Sequence, residues 1–251
     1  MAANPAAGVR SSIGISLELN YRLANTECRV VATTPARDPE LWSRYLEGAQ
    51  AAYRRFGVED ALEIEAIRDG KSTSVFLAAI DEFGEGKVVA GARAQGPYGS
   101  AVESHAVSEW EGHRGQEELR TMIEQRIPDG VVEVKGAWVS AEAAKRSELF
   151  HFLARSPIIA LTLLNARFAV GTAGSEYHWR EWASSGGVIA EEIPPAPYPS
   201  DRYQAKVMWW DRESYPDLAN RSHAVCALRE IADLLSNVRI IPDSSLARVA
   251  S

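Results

Sequence analysis

A mixed α/β (α+β) fold, its central sheet mostly antiparallel and flanked by helices, is what this sequence predicts. Three observations carry that prediction. Two apolar, β-branched runs, residues 74–80 and 87–95, are joined by the glycine-bearing stretch 81–86, the pattern of a hairpin. Short strand-like runs elsewhere alternate with segments whose apolar residues recur at helical spacing. Breakers such as Gly57, Pro128, Gly130, Gly186 and Gly187 fall where one kind of run gives way to the other.

Taken in order, residues 13–19 alternate (Ile13, Ile15, Leu17, Leu19) and predict an arm or an added edge strand. Residues 28–33 are short and β-branched, a strand. The plainest helix follows. Asp38 suits its N-cap, Pro39 its first turn and Glu40 the positive end of its dipole, while Gly57 ends it. Leu41, Trp42, Tyr45, Leu46, Ala49, Ala52, Tyr53 and Phe56 form one apolar face that must lie on a sheet. After the hairpin comes a polar loop, 96–115, with Tyr98, His105, Trp110 and His113, and then a helix over 116–127. Val131–Val139 is the next strand, with Glu133 and Lys135 on one face and Gly136 marking a bulge or a close backbone approach. Residues 141–166 read as helical, kinked or restarted at Pro157. A short strand (168–171), a short helix (176–185), a strand pair (188–193 and 203–210) and a terminal helix (220–235) complete the order, with a loose tail after Pro242.

The totals narrow the function. At 251 residues the chain fits one large domain with extensions: an arm over 1–25, a body over 26–212 and a C-terminal helix and tail over 213–251. Apolar stretches such as 157–164 are far shorter than the ~20 residues a membrane span needs. The first ten residues also lack a cationic start followed by an apolar run, so a cytoplasmic protein is expected. The two cysteines, Cys28 and Cys226, lie far apart and suggest reduced thiols. A net charge of −7 gives no basic footprint for nucleic acid. Glu103, His105, Glu109, Glu111 and His113 crowd into one loop at no recognisable ligand spacing, and no metal is expected. Ser100 lacks a Gly-x-Ser-x-Gly elbow, and no phosphate loop or dinucleotide fingerprint occurs.

The order of elements resembles the GNAT superfamily of N-acyltransferases over roughly residues 28–212. Within it the chain is most similar to the branch of acyl-homoserine-lactone synthases and long-chain N-acyl amino acid synthases. Three segments carry the likeness: Gly91-Ala-Arg93, Glu133-Val-Lys-Gly-Ala-Trp-Val139, and residues 179–187 followed by a strand pair. Two features depart from the pattern. Gly136 stands where that branch often has the arginine of Glu-x-x-Arg, and Trp182 and Ala183 stand where many relatives have a tyrosine four residues before a glycine.

The resemblance implies an enzyme that moves an acyl group from acyl-CoA or an acyl carrier protein thioester to the amine of a small molecule such as an amino acid. The amine must lose a proton, and Glu133 is the expected base; the alternative is a sheet carboxylate merely paired with Lys135 or Arg93. Those two cations would hold an acidic acceptor, with His178 also on the substrate side, or fix Glu133. Backbone groups at Ala137, Trp138 and Val139, beside a strand splayed at Gly136, would receive the oxyanion. Lys145 and Arg146, at the start of the next helix, would bind coenzyme A phosphates or the acidic face of a carrier protein, or form a solvated face. Tyr177, His178 and Tyr203 are candidate proton donors to the leaving thiolate, or packed and hydrogen-bonded residues without that role. Phe150, Phe152, Leu153, Ile158 and Ile159 would line an acyl tunnel or pack the core. A homodimer is compatible with this reading. So is a GNAT-shaped acyl-CoA-binding or regulatory protein without turnover.

Overall fold

The computed structural model describes residues 15–83, 86–236 and 238–242. Its strands, in chain order, are β1 (Ile15–Arg22), β2 (Cys28–Thr33), β3 (Val75–Asp81), β4 (Val88–Gln95), β5 (Val131–Val139), β6 (Phe168–Ala173), β7 (Val188–Ile189), β8 (Lys206–Asp211) and β9 (Val238–Pro242). Among the described residues these form one sheet in the order β7-β8-β6-β5-β4-β3-β2-β1-β9. Neighbours run antiparallel except β5 and β6, which are parallel. A parallel pair needs a crossover, and α5 (Arg146–Leu163) supplies it.

The hairpin predicted from residues 74–95 is β3 and β4, paired from Val75↔Ala94 to Ile80↔Val88. Residues 15–22 do form a strand, but not an edge: β9 pairs with β1 on its other side, from Ile15↔Pro242 to Leu19↔Val238. The expected start of that strand at Ile13 and the tail after Pro242 lie outside the described residues.

Both faces of the sheet are covered, because most strands send alternate side chains into different clusters. Val132 and Val134 of β5, with Ala90, Ala92 and Ala94 of β4, pack with Leu149, Phe152 and Leu153 of α5. On the opposite face α1 (Pro39–Phe56) lays Trp42, Tyr45 and Leu46 against Phe76, Ala78 and Trp138. Asp38 caps α1 by accepting from the Leu41 N–H at 2.9 Å, and Gly57 closes it at φ 65°. Further along that face, α3 (His105–Glu109) and α4 (Gln116–Arg126) bury Val107, Trp110, Leu119 and Ile123 with Val170 and Trp209.

Helix α5 runs through Pro157 without a break. A proline at 157 removes the N–H that the Leu153 carbonyl would accept. The neighbouring Ser156 hydroxyl donates to that carbonyl instead, at 2.7 Å. The helices α2 (Ile64–Ile67), α6 (Glu176–Ser184), α7 (Tyr215–Leu218) and α8 (Arg221–Ser236) complete the described structure. A buried ion pair, Arg155 with Glu230, ties α8 to α5.

Removing one partner of that pair leaves a charge buried without compensation. Arg155→Met is expected to lower the urea-unfolding free energy by about 3–5 kcal/mol. The double variant Arg155→Met, Glu230→Leu should recover most of the loss, and recovery of none would show that the pair does not act as a unit.

Candidate active site

Strands β5 and β6 pair only at Val131↔Phe168, Val132↔Ala169 and Glu133↔Val170. Beyond that point β5 continues along β4 as far as Val139, and β6 along β8 as far as Ala173. The sheet therefore opens between two strands that were neighbours. The opening coincides with a bulge: the register shifts between Gly91 and Arg93, so that Ala92 alone faces Gly136 and Ala137. Gly136 sits at φ 58°, and a Cβ there would lie 2.7 Å from the Tyr45 hydroxyl. That hydroxyl donates to the Gly136 carbonyl at 2.6 Å, pinning the bulge to α1. Ser140 donates its N–H to Val89 across the ladder at 2.7 Å. By the alternation of a strand, the Val139 N–H turns to the open side.

Glu133 stands at the last paired position before the opening and is 1% exposed. A buried carboxylate needs donors. It has Tyr98 Oη at 2.9 Å, Ser104 Oγ at 2.8 Å and the Ala106 N–H at 3.1 Å, all from the segment that follows β4. Burial, reinforced by the charge of Glu109, pushes the carboxyl above its usual range, against the pull of the Ser104 and Tyr98 hydrogen bonds.

Lys135, two residues along on the same face, places Nζ 3.6 Å from both Glu133 Oε1 and Glu109 Oε1 and in contact with His105 Nδ1. His105 Nδ1 also meets Glu109 at 2.9 Å, and its Nε2 meets Glu63 at 2.7 Å. Burial works against a charge on His105, yet the Glu109 hydrogen bond and the charges of Glu109, Glu63 and Glu133 push it up to about 9. Ligand atoms of His105, Glu109 and Glu133 lie within 4.8 Å of one another, spacing that a metal ion would accept. All three residues face the Lys135 ammonium, so the cluster already contains a cation.

Arg93 projects from β4 onto this face. It is 4% exposed, and its Nη1 donates to Gln95 Oε1 at 3.1 Å and reaches Thr73 Oγ1 at 3.4 Å. Its Nε has no partner. Among the described residues it makes no ion pair with a carboxylate.

The other residues singled out in the sequence are placed differently. Trp138 is buried edge-on to Tyr45, Val139 is buried, and Ala137 is partly buried at the bulge. Lys145 is exposed in a left-handed turn (φ 55°) just before α5, and Arg146 opens the helix with a buried Nε that has no partner. Tyr177 and His178 lie exposed on α6, with rings 5.8 and 6.4 Å from that of Phe150. Tyr203 is half-buried beside the turn after β6, 3.4 Å from where a Cβ on Gly174 would be. The structure thus sets Lys135 3.6 Å from Glu133, links Arg93 to Glu133 through Gln95 and Tyr98, and leaves Tyr177 and His178 in a separate group beside Phe150. Two surface concavities, about 450 Å³ beside Trp42 and Arg68 and about 480 Å³ beside Gln125 and Glu192, lie apart from Glu133.

Sequence reasoning passed over His105 and Glu109 as partners of Glu133. Their i,i+4 spacing was the available signal, since it sets both on one face of a helix turn.

No family model matches the sequence. Uncharacterized proteins of Mycobacterium tuberculosis and Mycobacterium bovis are 43% identical to it over 232 residues, covering 92% of this chain and 87% of theirs. The chain belongs to the same family as these mycobacterial proteins. In structure, this family member is similar to FeeM, an N-acyl amino acid synthase from uncultured soil microbes, with a TM-score of 0.51 at 10% identity over 78% of this chain and 97% of that one. It is also similar to MesI, a CoA-dependent acyl-homoserine lactone synthase, with a TM-score of 0.50 at 14% identity over 80% of this chain and 94% of that one. The fold of this chain is GNAT-like, as its order of strands and helices implied. Among the described residues no helix is long and apolar enough to cross a membrane.

The raised value of His105 has a thermodynamic consequence. A group held above its ordinary 6.5 contributes stability that is complete below that pH and lost as pH climbs through about 9. Urea-unfolding curves across this window should show the wild type losing its advantage over His105→Gln as pH rises. A difference that stays constant with pH would mean that His105 is not held charged.

Proposed function

We propose that this protein is an N-acyltransferase that moves an acyl group from a thioester donor, acyl-CoA or an acyl carrier protein, to the amine of a small acidic molecule such as an amino acid. One observation carries the reading: a buried carboxylate with a raised proton affinity stands where two central strands part. The opening gives a thioester carbonyl a place beside unpaired backbone, and Glu133 gives the attacking ammonium a place to leave its proton. A base held above the ordinary carboxylate range is better matched to that transfer near neutral pH.

In this reading the amine, once neutral, attacks the thioester carbonyl. The developing oxyanion is received by backbone N–H groups along residues 137–139, chiefly that of Val139. Collapse expels the thiolate, which takes a proton from Tyr203 or Tyr177, and the nitrogen gives its second proton to the phenolate so formed, which leaves the amide and restores the tyrosine. Arg93 is the anchor for the carboxylate of the acceptor: a buried guanidinium without a counter-charge is costly, and a bidentate carboxylate relieves it. Lys135 balances Glu133 and Glu109 in the same stripe, and His178 is kept as a substrate-side residue. Lys145, the unpartnered Nε of Arg146 and the first N–H groups of α5 suit the phosphates of coenzyme A, or the acidic surface of a carrier protein.

One observation favours a second reading, a GNAT-shaped binding or regulatory protein without turnover. Glu133 already accepts from Tyr98, Ser104 and Ala106, so its carboxylate also serves to hold the segment after β4 in place.

Thiol release from acyl-CoA donors, acetyl to palmitoyl, in the presence of pooled amino acids separates the two readings, with mass spectrometry of the products. Amide formation is expected, and Glu133→Gln should lower kcat by about 10²–10⁴-fold. Turnover of that variant at the wild-type rate would remove Glu133 as the base. For Arg93→Gln we expect KM for an acidic acceptor to rise about 10–100-fold with little change in KM for the donor; an equal effect on acceptors lacking a carboxylate would sink the anchoring role.

A further inference from the structure

Acyl transfer from a thioester to an ammonium releases a proton. In balance, R–NH₃⁺ and R′C(O)–S–R″ give R′C(O)–NH–R, R″–SH and H⁺. Two protons leave the nitrogen; one ends on the thiol sulfur and the other must reach solvent. Glu133 has no exposure through which to discharge it. Its partners Tyr98 and Ser104 are buried too, and the Ala106 N–H is backbone. On its remaining side lies Lys135.

We infer that Lys135, His105 and Glu63 form the proton exit of this site, a chain of exchangeable groups leading from buried Glu133 to the surface. Its links are on three separate segments. Lys135 Nζ on β5 lies 3.6 Å from Glu133 Oε1 and meets His105 Nδ1 on α3. His105 Nε2 lies 2.7 Å from Glu63 Oε2, on the residue that joins the 3-10 turn Glu59–Leu62 to α2. Exposure rises along the path: the side chains of Glu133, Lys135, His105 and Glu63 are 1%, 10%, 16% and 41% exposed. An imidazole suits the middle position, because it takes a proton on one nitrogen while releasing another from the second.

The charges around His105 keep it poised for this role. Glu109 from its own helix, Glu63, Glu133 and Lys135 all face it, and the Tyr198 ring covers one edge at 6.1 Å. Nδ1 faces both Glu109 and Lys135: without its own hydrogen it accepts from the Lys135 ammonium, and with one it donates to Glu109, so the nitrogen passes a proton by alternating between these two states. His105 and Glu63 are relay residues: they act through Lys135 and Glu133 and do not touch the acceptor.

This inference rests on the acyl-transfer reading, and the experiment separates the two. Wild type, His105→Gln and Glu63→Gln are compared for amide formation from the acyl-CoA series and pooled amino acids, with donor affinity measured by calorimetry. Both variants are expected to bind the donor as wild type does. His105→Gln should turn over at least about tenfold more slowly, and added imidazole should restore much of the rate. Glu63→Gln, at a half-exposed position where folding is not at risk, should lose less and shift the pH profile of kcat. The relay is overturned if the wild type is active and Glu63→Gln leaves both rate and pH profile unchanged, or if imidazole recovers nothing in His105→Gln. Should the wild type form no amide with any pair, the acyl-transfer reading fails, and the relay with it.

Discussion

Burying Glu133 is the constraint around which this face of the sheet is arranged. A carboxylate at 1% exposure is tolerated only if donors replace its water. All three close donors come from the 96–115 segment, which therefore cannot leave the sheet without stranding the carboxylate. The same anchoring sets the start of α3, and α3 in turn carries His105 and Glu109 to Lys135. What looks in sequence like a connector is positioned by one side chain of the strand it covers. The polar stripe lies between two apolar clusters, that of α1 on one flank and that of α3 and α4 on the other. Its low dielectric surroundings make each charge there matter more than it would at the surface.

Most of the fold was legible because it rests on periodicity. The caps of α1, the hairpin and β5 follow from local residue choices that agree with their tertiary use, as does the apolar face of α1 except at Phe56, which the last turn carries past the sheet and leaves 54% exposed. Where the reading missed, a long-range partner decided the outcome. Pro157 suggested a kink or a restart, but the helix does not restart there: Ser156 satisfies the carbonyl that the proline leaves open, and the helix is buried on both sides of it. Residues 13–19 suggested an arm or an edge strand because nothing in them tells that a strand more than two hundred residues later will pair alongside.

The candidate site was legible only on its strands. Glu133 and Lys135 on one face follow from alternation, and Gly136 as a bulge follows from a glycine in a strand. The proximity of His105, Glu109 and Glu63 could not be read that way. It depends on how a loop and a short helix fold back over β5, which no local pattern encodes.

Gly136 is the place where the chain departs from the Glu-x-x-Arg pattern of the family branch it resembles, and the structure gives that departure a physical meaning. A side chain starting at Gly136 would begin 2.7 Å from the Tyr45 hydroxyl and 3.7 Å from Cγ and Nε of Arg93. An arginine therefore has no room at 136 while Tyr45 holds the bulge carbonyl and Arg93 lies across the same space. A guanidinium reaches this face from the neighbouring strand instead, delivered by the register that opposes Arg93 to Lys135. Moving the cation from β5 to β4 frees the bulge to take a left-handed turn, at φ 58°, that only glycine adopts without strain. The glycine, the α1 tyrosine and the β4 arginine thus share one space, in which Gly136 leaves the room that the Tyr45 hydroxyl fills.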